Sequence, residues 1–242
     1  MKKLELKKVT KVFKVKKKYG FDYSVVLDQV SFSIAKGETV ALLGPSGSGK
    51  TTLSRVLLGI ESINQGELFI DNEQVASFSH SGHIKCSIVF QNYRSSVNPS
   101  YTIKDVLEEV LGKVEEAQYT ELLEKVGLSS INLNRKCTTL SGGEIQRVCV
   151  ARGIATKADL LIFDEAFRSL DLVHTFHFIN LLKTLKKEYG FAYLIITHDI
   201  KLACYLCERL LFFKDGTIIE DCQTKQLKET TSEYVQTLLS LK

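Results

Sequence analysis

No apolar run in this chain approaches the ~18 residues that a membrane-spanning helix needs, so the chain itself is not expected to cross a bilayer. Its lysine-rich start leads into alternating residues and not into an apolar stretch. That excludes a signal peptide and predicts a soluble, cytosolic protein. Internal repeats, low-complexity tracts, long linkers and sustained heptads are all missing, which argues against solenoids, disordered tails and coiled-coil arms. The net charge is only +4, too small a value to imply nucleic acid. The six cysteines, Cys86, Cys137, Cys149, Cys204, Cys207 and Cys222, are scattered, as free thiols are. Cys204 and Cys207 form a C-x-x-C, but no second pair of ligands stands at a zinc spacing. In KLACYLCERL a spacing of three places both on one face of a helix.

What is present is a 242-residue chain with 44% hydrophobic residues, enough for one large core. Lysines crowd the first eighteen positions. They read as a solvated edge strand and loop, with weak contact to anionic lipid as the sharper alternative. LELKKVTKVF and VVLDQVSFSI alternate as strands do, and GELFIDNEQV predicts a hairpin turning at Asp71-Asn72. ETVALL, CSIVF, DLLIF and FAYLII are short apolar runs expected to be buried strands. The runs TTLSRVLLGI, TIKDVLEEVLGKV (N-capped by Thr102), YTELLEKVGL and LVHTFHFINLLKTLKKEYG have helical spacing. RLLFF and TIIE flank a turn at Asp215-Gly216, and the last twenty residues read as two short helices. Helices alternating with buried strands predict a parallel sheet covered on both faces. The expectation is one α/β domain over residues 1–242. Residues 1–91 and 156–242 form the core with an N-terminal antiparallel β subdomain, and 92–155 form an inserted α-helical subdomain.

Three stretches carry chemistry. GPSGSGKTT comprises Gly44, Pro45, Ser46, Gly47, Ser48, Gly49, Lys50, Thr51 and Thr52, and fits the P-loop pattern between a strand and a helix. Backbone N–H groups must wrap a triphosphate closely, which a Cβ would hinder, and the helix start adds a positive dipole end. Lys50 is predicted to reach the β- and γ-phosphates and Thr51 to hold Mg²⁺ through its hydroxyl. LLIFDE ends a buried strand in two carboxylates, which need a cation or water nearby. Asp164 is the candidate Mg²⁺ ligand and Glu165 the group that orients or deprotonates water. LSGGEIQRVCVARGIA opens a helix with Ser141, Gly142 and Gly143, a second anion-binding helix start without a lysine.

That last run resembles the signature motif of ABC ATPases, and the rest of the chain is similar to the same family over its whole length. The resemblance implies a P-loop NTPase (RecA-like) fold that uses ATP and Mg²⁺. In this family the signature, here Ser141, Gly142, Gly143 and Glu144, closes over nucleotide held by a second cassette. Gln91 matches the Q-loop glutamine, a Mg²⁺ ligand that reports nucleotide state to the membrane partner. Ser169-Leu170-Asp171 matches the D-loop at the dimer seam. His198 matches the switch histidine near the γ-phosphate. Phe13 stands where the family stacks an aromatic on adenine, with Tyr19, Phe21 and Tyr23 as alternatives. Glu144 departs from the commoner glutamine, Ala166 from a proline, and FRSLD from a smaller run; none removes a catalytic group, so an active ATPase is expected.

Ser96, Asn98 and Pro99 after Gln91 resemble the peptide/nickel importer branch. The absence of a cysteine-rich C-terminal cluster is similar to its short, second nickel-type ATPase. The resemblance implies a second ATPase subunit, different or identical, two permease subunits and a substrate-binding protein. The chain is then expected at the cytoplasmic face of the membrane, without nucleic acid. Nickel, metal–chelator complexes, dipeptides and oligopeptides all remain open as cargo. The other class of reading is a soluble ABC ATPase acting on DNA or ribosomes. Such proteins usually carry two cassettes or a long coiled-coil arm.

Overall fold

A computed structural model describes residues 2–17, 19–75, 86–156, 158, 160–168 and 170–240. In chain order its strands and helices are β1 (Lys2–Lys16), β2 (Phe21–Ala35), β3 (Thr39–Leu43), α1 (Lys50–Leu57), β4 (Gln65–Ile70), β5 (Glu73–Gln74), β6 (Cys86–Phe90), α2 (Ile103–Leu111), α3 (Glu116–Lys125), α4 (Gly142–Ala155), β7 (Leu160–Asp164), α5 (Leu172–Tyr189), β8 (Ala192–Thr197), α6 (Ile200–Leu206), β9 (Arg209–Lys214), β10 (Thr217–Gln223) and α7 (Glu233–Ser240). They fall into two compact units, residues 1–84 with 192–242, and residues 85–191. No helix among the described residues is long and apolar enough to cross a membrane.

The first unit holds two sheets. An antiparallel one runs β2-β1-β4-β5. In the other, β8 and β9 both pair parallel to β3, and β10 pairs antiparallel to β9. Every residue of β3 and β8 is buried, as expected of strands covered on both faces. The two predicted tight turns form with φ > 0 at both central residues, Asp71 and Asn72 (51° and 65°) and Asp215 and Gly216 (47° and 78°). The lysine-rich strand is not an edge, because β1 pairs on both sides. Lys3 and Lys11 are buried and paired: Lys3 Nζ lies 2.6 Å from Asp71, and Lys11 Nζ lies 3.0 Å from Glu61 and donates to Ser62 O at 2.7 Å. Burial without those carboxylates would be costly.

KLACYLCERL is helical only to Leu206. Cys207 leaves in extended backbone because the chain turns there to bring Glu208 onto Thr39, its N–H donating to Thr39 O and its carboxylate accepting from Thr39 N. Cys204 is half-buried and Cys207 buried. Of the two late helices, the first is a 3-10 turn at Thr224–Glu229 and the second is α7.

In the second unit β6 pairs parallel with β7. CSIVF is less buried than expected: only Val89 is buried, and Phe90 is 39% exposed. Among the described residues β6 has a neighbour on one side alone, so one edge is uncovered. Between β6 and β7 every element is helical. Helix α2 starts on the predicted cap, with Thr102 and Asp105 forming a reciprocal box, and stops at Gly112 with φ 72°. Helix α4 packs against α2 and α3 and buries Ile145, Val148, Val150 and Ala151. Helix α5 is capped by Asp171 and ends at Gly190 in the left-handed conformation.

Candidate functional site

In the first unit the loop 44–49 leaves β3 and enters α1. Its shape is dictated internally. A Cβ on Gly44 would lie 2.1 Å from the Phe213 carbonyl oxygen, and one on Gly49 2.7 Å from that of Val26. Gly47 and Gly49 have φ of 81° and 104°, which side chains rarely adopt. The loop is also pinned from below, since Gly216 N donates to Ser48 O at 3.0 Å. Pro45, Ser46, Gly47 and Thr51 are exposed, Thr52 is half-buried, and Ser48 is buried. Lys50 is 8% exposed, and its Nζ donates to Gly44 O (2.8 Å) and Pro45 O (2.7 Å) with Ser48 Oγ at 3.4 Å. The ammonium is thus held over the loop, ready to exchange carbonyls for a stronger anion. Leu43 pairs in register with Thr197, so His198 and Gly44 emerge side by side from the carboxyl ends of β8 and β3. That end is where α/β sheets bind ligands. His198 is exposed, and the next residue, Asp199, caps α6.

Phe13 is half-buried on β1, with Lys11 Nζ 4.8 Å from its ring centroid. Tyr19, Phe21 and Tyr23 are 88%, 59% and 67% exposed, and Lys14 Nζ lies 3.8 Å over Phe21. All four aromatics therefore belong to one β1–β2 hairpin.

The second unit repeats the strand-end arrangement. Phe90 pairs with Asp164, so Gln91 and Glu165 are neighbours as β6 and β7 end. All three polar residues, Gln91, Asp164 and Glu165, are half-buried. Glu165 has φ 51°, a left-handed conformation uncommon outside glycine and often found at functional sites. The turn after it is held by packing. Phe167 lies 5.1 Å from Phe178 and 6.3 Å from Phe163, ring to ring, which explains a large residue where a smaller run was expected. Ala166 is buried, and its carbonyl accepts a hydrogen bond from the Tyr93 hydroxyl. That hydroxyl in turn accepts from Gln146 Nε2 at 2.8 Å, and burial raises the Tyr93 phenol above its ordinary pKa, keeping it a donor.

Ser141 caps α4 and forms a reciprocal box with Glu144: Glu144 N donates to Ser141 Oγ (3.2 Å), and Ser141 N donates to Glu144 Oε2 (2.7 Å). Arg135 grips the same carboxylate with both Nη atoms, at 2.8 and 3.2 Å. The Arg135 guanidinium first, and the Ser141 amide second, lower the Glu144 pKa to about 2. A Cβ on Gly142 would meet nothing within 4 Å, and one on Gly143 only His174 Cδ2 at 3.5 Å, an ordinary contact. Asp171 accepts from His174 N at 2.8 Å and bonds His174 Nδ1 at 2.9 Å, which sets the imidazole beside Gly143. A cavity of about 340 Å³ borders Gln91, Tyr93, Arg94, Gly142, Ile145 and Leu170. Ser169 and Lys18 lie outside the described residues.

Sequence reasoning missed Tyr93, Gln146, Arg94 and Arg135. Arg94 Nη2 donates to Leu140 O (2.8 Å), and Arg152 Nη1 to Ser96 O (2.7 Å), so residues 93–96 are fastened along α4. The available signal was a basic and aromatic cluster following Gln91, but its partners are 46 to 73 positions away.

The ABC transporter family model matches residues 27–168. The metal-staphylopine import system ATP-binding protein CntF of Staphylococcus aureus is 38% identical over 221 residues, 88% of each chain. The nickel import ATP-binding protein NikE of Escherichia coli O157:H7 is 41% identical over 209 residues, 82% of this chain and 78% of the relative. Among solved structures, a dimeric ATP-binding cassette bound to ADP and Pi matches with a TM-score of 0.75 and 27% identity, over 91% of this chain and 98% of that one. A second cassette, in its ADP conformation, shares the fold with a TM-score of 0.82 over 99% of both chains. The P-loop, the carboxylate-ended strand and the serine-glycine helix start thus stand in a chain that belongs to the ABC transporter family, as an ATP-binding cassette.

Proposed function

We propose that this chain is the ATP-hydrolysing subunit of a membrane import system. It works as one of two cassettes beneath two permease subunits that take cargo from a substrate-binding protein. Peripheral attachment to those permeases keeps it at the cytoplasmic face. Nickel or a metal–chelator complex is the favoured cargo, because relatives matching most of the chain are named for such import; peptides are the wider class. The observation that carries the two-cassette reading is the start of α4. Two glycines lead a helix at positions where this chain's own atoms leave room for a side chain, which suits a surface kept bare for something from outside.

In this reading Lys50 contacts the β- and γ-phosphates, and the amides of residues 46–52 cradle them. A phenyl or phenol ring from the β1–β2 hairpin, Phe13 first, stacks on adenine. Thr51, Asp164 and Gln91 offer a hydroxyl, a carboxylate and an amide oxygen, a hard-oxygen donor set that suits Mg²⁺. When bound, that ion neutralises charge on the β- and γ-phosphates. Glu165 orients the attacking water and takes its proton, and His198 donates toward the γ-phosphate. Ser141, Gly142 and Gly143 close over the nucleotide of the second cassette, with Asp171 at the seam. Arg94, Tyr93 and Arg152, which fasten the segment after Gln91 to α4, carry the motion of closure toward the permease.

The test uses the chain purified from membranes with its hydrophobic partners. General-base assistance is worth about 10²–10⁴-fold in rate, so Glu165→Gln should slow turnover at least that much while ATP still binds. Unchanged turnover removes Glu165 from the role. Recovery with nucleic acid and no membrane partner sinks the import reading.

A further inference from the structure

The signature helix carries an acid where an anion is to be received. Glu144 stands in the first turn of α4, one residue beyond the glycines. Alone, its carboxylate would repel a triphosphate brought to those amides. Arg135, in the loop before the helix, meets it as a two-pronged ion pair, Nη1 to Oε1 at 2.8 Å and Nη2 to Oε2 at 3.2 Å. The same Nη2 donates to Thr139 O at 2.9 Å, tying the guanidinium to the turn that leads into Ser141. The carboxylate is left fully engaged, since Oε2 also accepts from Ser141 N. Arg135 is fixed in turn through its backbone, with its N–H donating to Asn132 O (3.0 Å) and its carbonyl accepting from Ile103 N (3.1 Å) at the start of α2. An arginine with a forked, always-charged head suits this task better than a lysine does.

We propose that Arg135 is a positioning residue of the signature. It cancels the Glu144 charge and holds that carboxylate on the Ser141 amide, so the bare start of α4 can take the terminal phosphate of nucleotide on the second cassette. The assignment rests on the two-cassette reading above. The low pKa of Glu144 agrees with it, because the acid stays ionised and therefore always needs its counter-charge.

The full chain with its membrane partners is assayed for KM and kcat at fixed ionic strength. Arg135→Ala should raise KM for ATP about tenfold, with a smaller change in kcat. Arg135→Ala/Glu144→Gln should return KM to within about threefold of the starting protein, because the uncompensated charge is gone. Arg135→Lys keeps the charge but not the fork and should raise KM only about threefold, between the starting protein and Arg135→Ala; it serves if Arg135→Ala is not recovered folded. A merely structural role predicts the opposite for the double variant, which loses both the fork and the acid cap and should be no better than the single one. That result, an unchanged KM in Arg135→Ala, or a tenfold rise in Arg135→Lys overturns the proposal. Ser141→Arg is run beside them. If it leaves turnover intact, the two-cassette reading itself falls. If it abolishes turnover while Arg135→Ala behaves as the starting protein, only the role of Arg135 falls.

Discussion

The loop 44–49 and the start of α4 are both glycine-rich entries to helices, yet their glycines are there for different reasons. In the first, Gly44 and Gly49 are wedged against the carbonyls of Phe213 and Val26, and Gly47 and Gly49 hold φ angles of 81° and 104°. The chain's own geometry demands them. In the second, Gly142 and Gly143 have room for a methyl group and the chain demands neither. The charges differ as well. Helix α1 has no acid in its first turn and begins with Lys50, whereas α4 carries Glu144 matched by Arg135. A loop that rests its lysine ammonium on the carbonyls of Gly44 and Pro45 can, in the proposed reading, exchange them for an anion of its own. A helix start with its charges already balanced suits the proposed role of meeting an anion that something else brings.

The sharpest way to break this contrast is Gly44→Ala. A carbon 2.1 Å from a backbone oxygen cannot be relieved by turning a side chain, so the loop after β3 or strand β9 must shift. Overpacking of that kind costs about 1–3 kcal/mol. Equilibrium unfolding in urea should show that loss, together with weakened nucleotide binding. A variant as stable as the parent would mean the loop is not sterically fixed. Next in size is the Glu144 cap. Its pKa falls from 4.5 to about 2 on folding, so its contribution is fully present above pH 4.5 and is lost as pH falls toward 2. With the carboxylate 29% exposed, about 1 kcal/mol is a fair size. The stability gap between the parent and Glu144→Gln should therefore close across that window. A gap constant from pH 6 to 2 would show that Arg135 does not hold the acid.

How far the sequence anticipates these two regions follows from how local each feature is. The P-loop, the turns at Asp71-Asn72 and Asp215-Gly216 and the cap at Thr102 depend on residues within a few positions of one another, and all are legible. The apolar strands β3 and β8 are legible too, because burial on both faces writes a continuous run. Burial set by distant partners is not. Lys3 and Lys11 read as solvated until Asp71 and Glu61 arrive from 68 and 50 residues away. CSIVF reads as buried, yet among the described residues it pairs only with β7 on one side. At the candidate site, Gln91, Asp164 and Glu165 are legible because each ends or follows a short motif. Tyr93, which joins the Ala166 carbonyl to Gln146 of α4, is not, since nothing near it in sequence announces either partner.

The smallest expected effect tests the other half of the contrast. If Gly142 answers to nothing in its own chain, replacing it with alanine removes backbone entropy from the unfolded state and strains nothing in the folded one. Gly142→Ala should then raise stability by about 0.5 kcal/mol, less than the full glycine-to-alanine difference because the site is the first position of the helix. Thermal unfolding of the chain alone would read it. If the proposed two-cassette reading holds, the same variant in the full complex should lose ATP turnover, because the methyl group would stand where that reading brings the second cassette's nucleotide. A gain in stability with a loss of activity is the signature of a residue kept for a partner. Destabilisation of the isolated chain by 1 kcal/mol or more would instead place Gly142 with Gly44, as a glycine that its own fold requires.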